Sequence, residues 1–145
     1  NAYCQDNEIS WMNWALAEKN AELVEFFRWL IDFRLSHESF QFIDWGPEIE
    51  DEHTDVRFHG VHINRPDLGW DSRTLGMELL WGDEHLYVVA NAYWDALEFE
   101  LPKTAEGWHW QLVMDTTWER LREPLAVDHK YRARARSIAI LEAKL

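Results

Sequence analysis

The spacing of the apolar residues changes once along this chain, near residue 40, and that change limits the folds available to it. In Leu23, Phe26, Phe27, Leu30, Phe33 and Arg34 the spacing is i, i+3, i+4, i+7, the stripe of an α-helix. Asn20 is placed to cap its start, with Glu22 in the first turn. Val24, Ile31 and Leu35 form a second apolar line on another face of the same helix. A helix apolar on two faces is normally wedged between two layers, and the rest of the chain offers one. Ile9 to Leu16 is also helix-like, with Trp11 and Trp14 three apart as packing residues, and His37-Glu38-Ser39 ends the helical part without a glycine.

Beyond residue 41 the period becomes that of strands. The sequence predicts strands over Val56 to Ile63, Thr74 to Trp81, His85 to Tyr93, Ala96 to Leu101, Trp108 to Met114 and Arg134 to Glu142. Gly82-Asp83-Glu84 reads as a hairpin connection and Pro102 to Gly107 as a longer loop. Within Ala96-Leu-Glu-Phe-Glu-Leu101 the alternation turns Leu97, Phe99 and Leu101 inward and Glu98 and Glu100 outward. The segment from Glu48 to Asp55 holds five carboxylates in eight residues and reads as a solvated loop or edge. Short strands without helices between them imply an antiparallel sandwich rather than a parallel sheet. There is no internal repeat and no long linker.

Charge narrows the partners. The net charge is −13, and residues 1–116 carry 7 basic against 23 acidic side chains. Such a surface repels phosphate backbones and anionic lipid, so neither nucleic acid nor a membrane is expected as a partner. Arg132, Arg134 and Arg136 alternate at the period of a strand, which sets them on one side of a sheet beside carboxylates. The chain lacks an apolar run long enough for a membrane helix, and a single cysteine, Cys4, suits a reducing, cytoplasmic setting. Tryptophan is abundant, at 10 of 145 residues. A neutral, hydroxyl-rich ligand suits an acidic, tryptophan-rich chain better than a polyanion does.

The candidate chemistry is sparse. Glu98 and Glu100, two apart on a strand, would hold their Cα atoms roughly 6.6 Å apart, in the range of glycosidase carboxylate pairs. Both face water, however, and a glycosidase acid needs a raised pKa. His59 and His62 sit three apart, on opposite faces of a strand, and no second sulfur ligand exists, so no metal or other cofactor is expected. No Gly-x-Ser-x-Gly and no phosphate-cradling glycine loop is present. Trp108-His-Trp110 places two indoles on one strand face: a flat platform for sugar rings if exposed, part of the core if buried.

Several longer motifs carry more information. Asn1-Ala-Tyr-Cys-Gln-Asp-Asn-Glu-Ile-Ser-Trp11 resembles the stretch after the eighth barrel strand of bacterial glycogen-debranching enzymes of the isoamylase type, in the α-amylase superfamily. His59-Gly-Val-His-Ile-Asn-Arg-Pro-Asp-Leu-Gly-Trp-Asp-Ser-Arg73 resembles that family's His-Gly…Pro-Asp-Trp…Ser-Arg signature. Leu86-Tyr-Val-Val-Ala-Asn-Ala-Tyr-Trp94, Trp110 to Trp118 and Arg136-Ser-Ile-Ala-Ile-Leu141 are similar to its later strands, in the same order. Phe58, where tryptophan is usual, and Glu38, where proline is common, depart from the pattern as packing changes.

The resemblance implies a mainly β fold: a C-terminal antiparallel β-sandwich, residues 41–145, preceded in residues 1–40 by the last loop and one or two helices of a truncated (β/α)₈ barrel. A start at Asn1 rather than Met and the two-faced helix fit a fragment. The family's aspartate nucleophile, glutamate acid/base and second aspartate lie upstream, so this chain is expected to hold no catalytic residue and to be inactive alone. Its partners would be the missing barrel and, through the parent enzyme, an α-glucan such as glycogen or a limit dextrin. Asn1, Tyr3, Asp6 and Asn7 would sit near the substrate cleft, because βα loops line a barrel's active site. Tyr3 would stack on a ring and Asp6 or Asn7 would bind hydroxyls; the competing role for Asp6 or Asn7 is to cap the helix near Ile9.

Overall fold

The structure is a computed structural model, and it describes residues 3–41, 54–117 and 124–145. The chain divides into two units, Asn1–Ser36 and His37–Leu145. In the first, the expected helix over Ile9 to Leu16 is shorter and later: Ser10 and Trp11 donate their N–H groups to the carbonyl of Asn7, each at 3.0 Å, closing a turn, and α1 spans only Ala15–Lys19. Helix α2 covers Ala21–Ser36, with Glu22 in its first turn and Arg34 in its last, as the helix dipole favours. Asn20 accepts the first helical bond, from Val24 N–H at 3.1 Å, while its side chain donates backwards to Leu16 O, so it caps the preceding helix and not this one. Leu23, Phe27, Ile31 and Leu35 lie exposed at four-residue intervals along α2.

The second unit is mainly antiparallel β-structure. It opens with a 3-10 turn, Glu38–Phe40, whose first N–H groups are taken up by one carboxylate: Glu38 N–H donates to Glu84 Oε1 at 3.0 Å and Ser39 N–H to Oε2 at 2.9 Å. Six strands form one sheet in the order β1-β2-β3-β8-β5-β6: β1 Asp55–His59, β2 Thr74–Trp81, β3 Glu84–Asn91, β5 His109–Asp115, β6 Leu125–Val127 and β8 Ser137–Lys144. A second sheet pairs β4, Leu97–Glu100, with β7, Lys130–Ala133. The core lies between the two sheets. Tyr87 and Val89 of β3, Ala139, Leu141 and Ala143 of β8, and Trp110 and Leu112 of β5 meet Phe99 of β4 and Tyr131 and Ala133 of β7. Phe99 is fully buried and Glu98 pairs outward with Lys130 at 2.7 Å, as the alternation of this strand predicts.

Three sequence expectations need correction. First, the chain also forms strands β6 and β7, at three and four residues too short to establish a period. Second, the three arginines do not share a strand face. Arg132 lies on β7 opposite Glu98, but Arg134 and Arg136 fall in the turn before β8, where Arg136 takes a φ of 53° and donates its N–H to Tyr93 O. Third, the first strand ends at His59 instead of Ile63, because Asn64, with a φ of 58°, folds back to donate its N–H to His59 Nδ1 at 2.9 Å. Of the acidic segment expected as a solvated loop or edge, 48–53 lies outside the described residues.

A β2–β3 hairpin closed by Gly82 and Asp83 fixes the register, with Trp81 opposite Glu84 and Thr74 opposite Asn91. Gly82 has a φ of 57°, the first loop position where a hairpin of this length wants glycine. On the core face this register sets Gly76 beside the Tyr87 ring; a Cβ at Gly76 would sit 2.2 Å from the Tyr87 hydroxyl. That hydroxyl is buried without a hydrogen-bond partner among the described residues. Tyr87→Phe is therefore expected to keep or raise the unfolding free energy, by up to about 1 kcal/mol, because it removes a buried unsatisfied group. Gly76→Ala should cost at least about 2 kcal/mol through overpacking. Chemical denaturation of the two variants checks both.

Candidate functional site

The two long motifs that carry the family resemblance, His59–Arg73 and Leu86–Trp94, converge at one end of the large sheet. Because Thr74 opposes Asn91, the segment entering β2 and the segment leaving β3 emerge side by side, and Ala92 N–H donates to Arg73 O at 2.7 Å. The buried Asn91 side chain fixes the corner: its Nδ2 donates to the carbonyls of Asp95 and Arg134, each at 2.9 Å, and its Oδ1 accepts the N–H of Tyr93 at 3.0 Å. On this corner the Tyr93 and Trp94 rings stack at 4.1 Å, and the Arg73 guanidinium lies 5.1 Å over the Trp94 ring. The 67–71 turn is held by Gly69 N–H donating to Asp67 Oδ1 at 3.1 Å. Asp67, Asp71, Ser72, Arg73, Thr74, Tyr93 and Trp94 line an open cleft of about 370 Å³. Trp94 is 54% exposed, and Trp70, on the turn, 99%.

A buried ionic node joins β1, β2 and β3. His85 Nε2 contacts Glu78 Oε1 at 2.8 Å and His59 Nε2 contacts Oε2 at 3.3 Å, with Arg57 Nη1 3.8 Å away. His59 Nδ1 accepts the Asn64 N–H, so in the neutral ring the proton resides on Nε2 and points at the carboxylate. Burial pushes Glu78 up, but the hydrogen bonds from His85 and His59 outweigh it and hold the carboxyl below its ordinary range. Gly60 is required beside this node, because a Cβ there would meet Arg65 O at 2.5 Å.

The remaining expected residues are dispersed. Asn1 lies outside the described residues. Tyr3 is 80% exposed, Asp6 Oδ1 accepts the Trp11 indole N–H at 2.8 Å, and Asn7 Oδ1 accepts the Ile9 N–H at 3.0 Å. Asn7 thus closes a turn, but no α-helix begins there for either residue to cap. The sugar platform of Trp108 and Trp110 is not formed. Trp110 is 4% exposed in the core, donating its indole N–H to Pro102 O at 2.8 Å, and Trp108 packs partly buried against the same core. His59 and His62 serve different carboxylates, since His62 Nδ1 contacts Glu100 Oε1 at 3.0 Å. That contact and the Ile63 N–H lower the Glu100 pKa, the opposite of what a glycosidase acid needs. Among the described residues no group of three or more His, Cys, Asp or Glu side chains is arranged to hold a metal ion. Sequence reasoning missed Glu78, His85, Asp67, Asp71 and Arg73 as a set, although four of the five lie in or beside the two motifs.

A mainly β unit with a two-sheet core and these motifs in order defines a class, the C-terminal domain of isoamylase-type enzymes. The chain belongs to that family: the model for the isoamylase C-terminal domain matches residues 53–142. It is 31% identical over 144 residues to a glycogen debranching enzyme of Serratia proteamaculans, covering 99% of this chain and 20% of the relative. It is 34% identical over 112 residues to a glycogen debranching enzyme of Pectobacterium carotovorum, covering 77% of this chain and 16% of the relative. A glycogen operon protein GlgX homolog of Mycobacterium tuberculosis is 49% identical over 41 residues, 28% of this chain and 6% of the relative. The chain thus spans a fifth or less of the length of these curated relatives.

The Glu78 node gives a pH dependence of definite sign. A carboxyl whose folded pKa is depressed contributes stability above its unfolded value, near 4.5, and loses it as pH falls through the lower folded value. Glu142, where burial is outweighed by His37 and Lys144, acts in the same direction. Thermal unfolding should show a melting temperature that drops as pH falls from 5 toward about 3. Glu78→Ala should cost about 3 kcal/mol at pH 7, by stranding two buried imidazoles, and flatten that slope.

Proposed function

We propose that this chain serves a glycogen-debranching glycoside hydrolase as its C-terminal sandwich, and that the complete enzyme cleaves α-1,6-glucosidic branch linkages of glycogen or limit dextrins in the cytoplasm. The observation that carries this reading is the relation to a glycogen debranching enzyme along 99% of the chain. Cleavage would be retaining, with two carboxyl groups about 5 Å apart, one attacking the anomeric carbon and the other protonating the leaving oxygen. Those groups belong to the barrel of the complete enzyme. The electrostatics here support that division, because the described carboxylates with resolved shifts, Glu78, Glu100 and Glu142, are all lowered and none is poised as an acid. No helix among the described residues is long and apolar enough to cross a membrane.

In this reading residues 1–40 close the barrel and the sandwich at 41–145 braces it and supports the substrate cleft. The exposed row Leu23, Phe27, Ile31 and Leu35 supports a packing role for α2. Tyr3, with its exposed ring, stacks on a sugar, and Asn1, Asp6 and Asn7 border the same cleft. Two measurements test this. The purified chain should release no reducing sugar from glycogen, and measurable release would overturn the division of labour. In the complete enzyme, Tyr3→Ala and Asp6→Ala should raise KM several-fold at unchanged melting temperature; unchanged kinetics with lowered stability would reduce these residues to local structure. A second reading, in which the sandwich itself contacts α-glucan, is favoured by the cleft at Arg73 and Trp94.

A further inference from the structure

We propose that the cleft bounded by Asp67, Asp71, Arg73 and Trp94 is a docking site for an α-1,4-linked glucose chain; this rests on the reading that the chain serves an α-glucan hydrolase. Four observations carry it. The first is an unspent donor set: the Arg73 guanidinium lies over the Trp94 ring, and among the described residues it makes no ion pair or hydrogen bond. A guanidinium over an indole is held there by cation–π attraction while its N–H groups remain a donor fork that suits two adjacent oxygens. The second is an acceptor set, the carboxylates of Asp67 and Asp71, lining the same cleft. Asp67 Oδ1 and Asp71 Oδ1 lie 3.2 and 3.3 Å from the point a Cβ on Gly69 would occupy, so the glycine leaves both carboxylates room.

Donors and acceptors in one cleft, not consumed by each other, call for a ligand that is both at once. Vicinal hydroxyls of a pyranose are that: each donates one hydrogen and accepts others. An anion would meet two carboxylates on a chain of net charge −13, and a cation would meet Arg73. The third observation is aromatic surface: Trp94 remains 54% exposed although its ring stacks on Tyr93, which leaves apolar area for the C–H faces of a sugar. The fourth is preorganisation. Asn91 and the Ala92–Arg73 backbone bond fix the corner before any ligand arrives, so little ordering entropy remains to be lost. A cleft of about 370 Å³ is in the size range of small-ligand sites, and it lies open to solvent.

Isothermal titration of the 145-residue chain with maltoheptaose, with cellohexaose as the β-linked comparison, tests the site. Maltoheptaose should bind with a millimolar dissociation constant, and Arg73→Ala, Asp71→Ala and Trp94→Ala should each weaken it at least about tenfold at unchanged melting temperature. Lys130→Ala, on the exposed Glu98 pair, should leave it unchanged. Maltoheptaose binding that survives all three cleft substitutions would overturn the location while leaving the glucan reading intact. Equal binding of cellohexaose, lost in the same variants, would overturn the α-glucan assignment while leaving a saccharide cleft. Absence of binding by either sugar would overturn the proposal, and the hydrolase reading would still stand or fall on the activity of the complete enzyme.

Discussion

Most of what is distinctive in this domain follows from the pairing of β2 with β3. The two-residue Gly82–Asp83 connection fixes Trp81 against Glu84, and every later pair follows in steps of one. A slip of one residue would turn the core face outward, exchanging Tyr87 and Val89 for Leu86 and Val88. It would also separate Thr74 from Asn91 and so part the two loops that build the cleft. The same hairpin reaches backwards along the chain. Trp81 donates its indole N–H to Glu38 at 2.9 Å, and Glu84 accepts from the backbone of Glu38 and Ser39, so the entrance to the sandwich is tied to its tightest turn.

Polar groups inside this sandwich are handled in two contrasting ways. Glu78, Asp115 and Asn91 are buried but saturated: Glu78 by two imidazoles, Asp115 by the Thr117 N–H and hydroxyl and the Tyr131 hydroxyl, and Asn91 by backbone carbonyls and an N–H. A saturated polar network specifies one arrangement, because any shift strands a buried group. The buried hydroxyls of Ser39 and Tyr87 have no hydrogen-bond partner among the described residues, and that of Tyr87 is lodged over Gly76 where only a hydrogen fits. Burial and the neighbouring Glu78 and Glu100 charges push the Tyr87 hydroxyl well above the ordinary tyrosine range, so it stays neutral. Tyr131 stays neutral too, through burial and its hydrogen bond to Asp115.

Tryptophan shows how position decides role. Trp110 and Trp94 look alike in sequence, each bordered by aromatic or imidazole neighbours at a strand edge. Trp110 falls on the inward face of β5 and becomes core, its N–H consumed by Pro102 O, whereas Trp94 falls three residues past the end of β3 and keeps half its surface. Alternation along β5 could not tell a platform from a core face, because the second sheet that covers Trp110 comes from β4 and β7, and β7 was not visible as a strand. Arg73 was hidden for a similar reason: as one member of a motif it carries no signal, and its meaning lies in the indole twenty-one residues away.

The amino-acid sequence by itself determined the change from helical to strand period, the antiparallel class, the inward face of Leu97–Leu101, the β2–β3 hairpin and the family, because each rests on short-range periodicity, turn chemistry or ordered motifs. Tertiary structure alone decided which strands close the second sheet, that His59 and His85 converge on Glu78, that Arg136 turns the chain, and that Asp67, Asp71, Arg73 and Trp94 share a cleft. Those outcomes depend on strand order and register across separations of tens of residues, where neither period nor propensity acts, and where burial and pairing select one geometry.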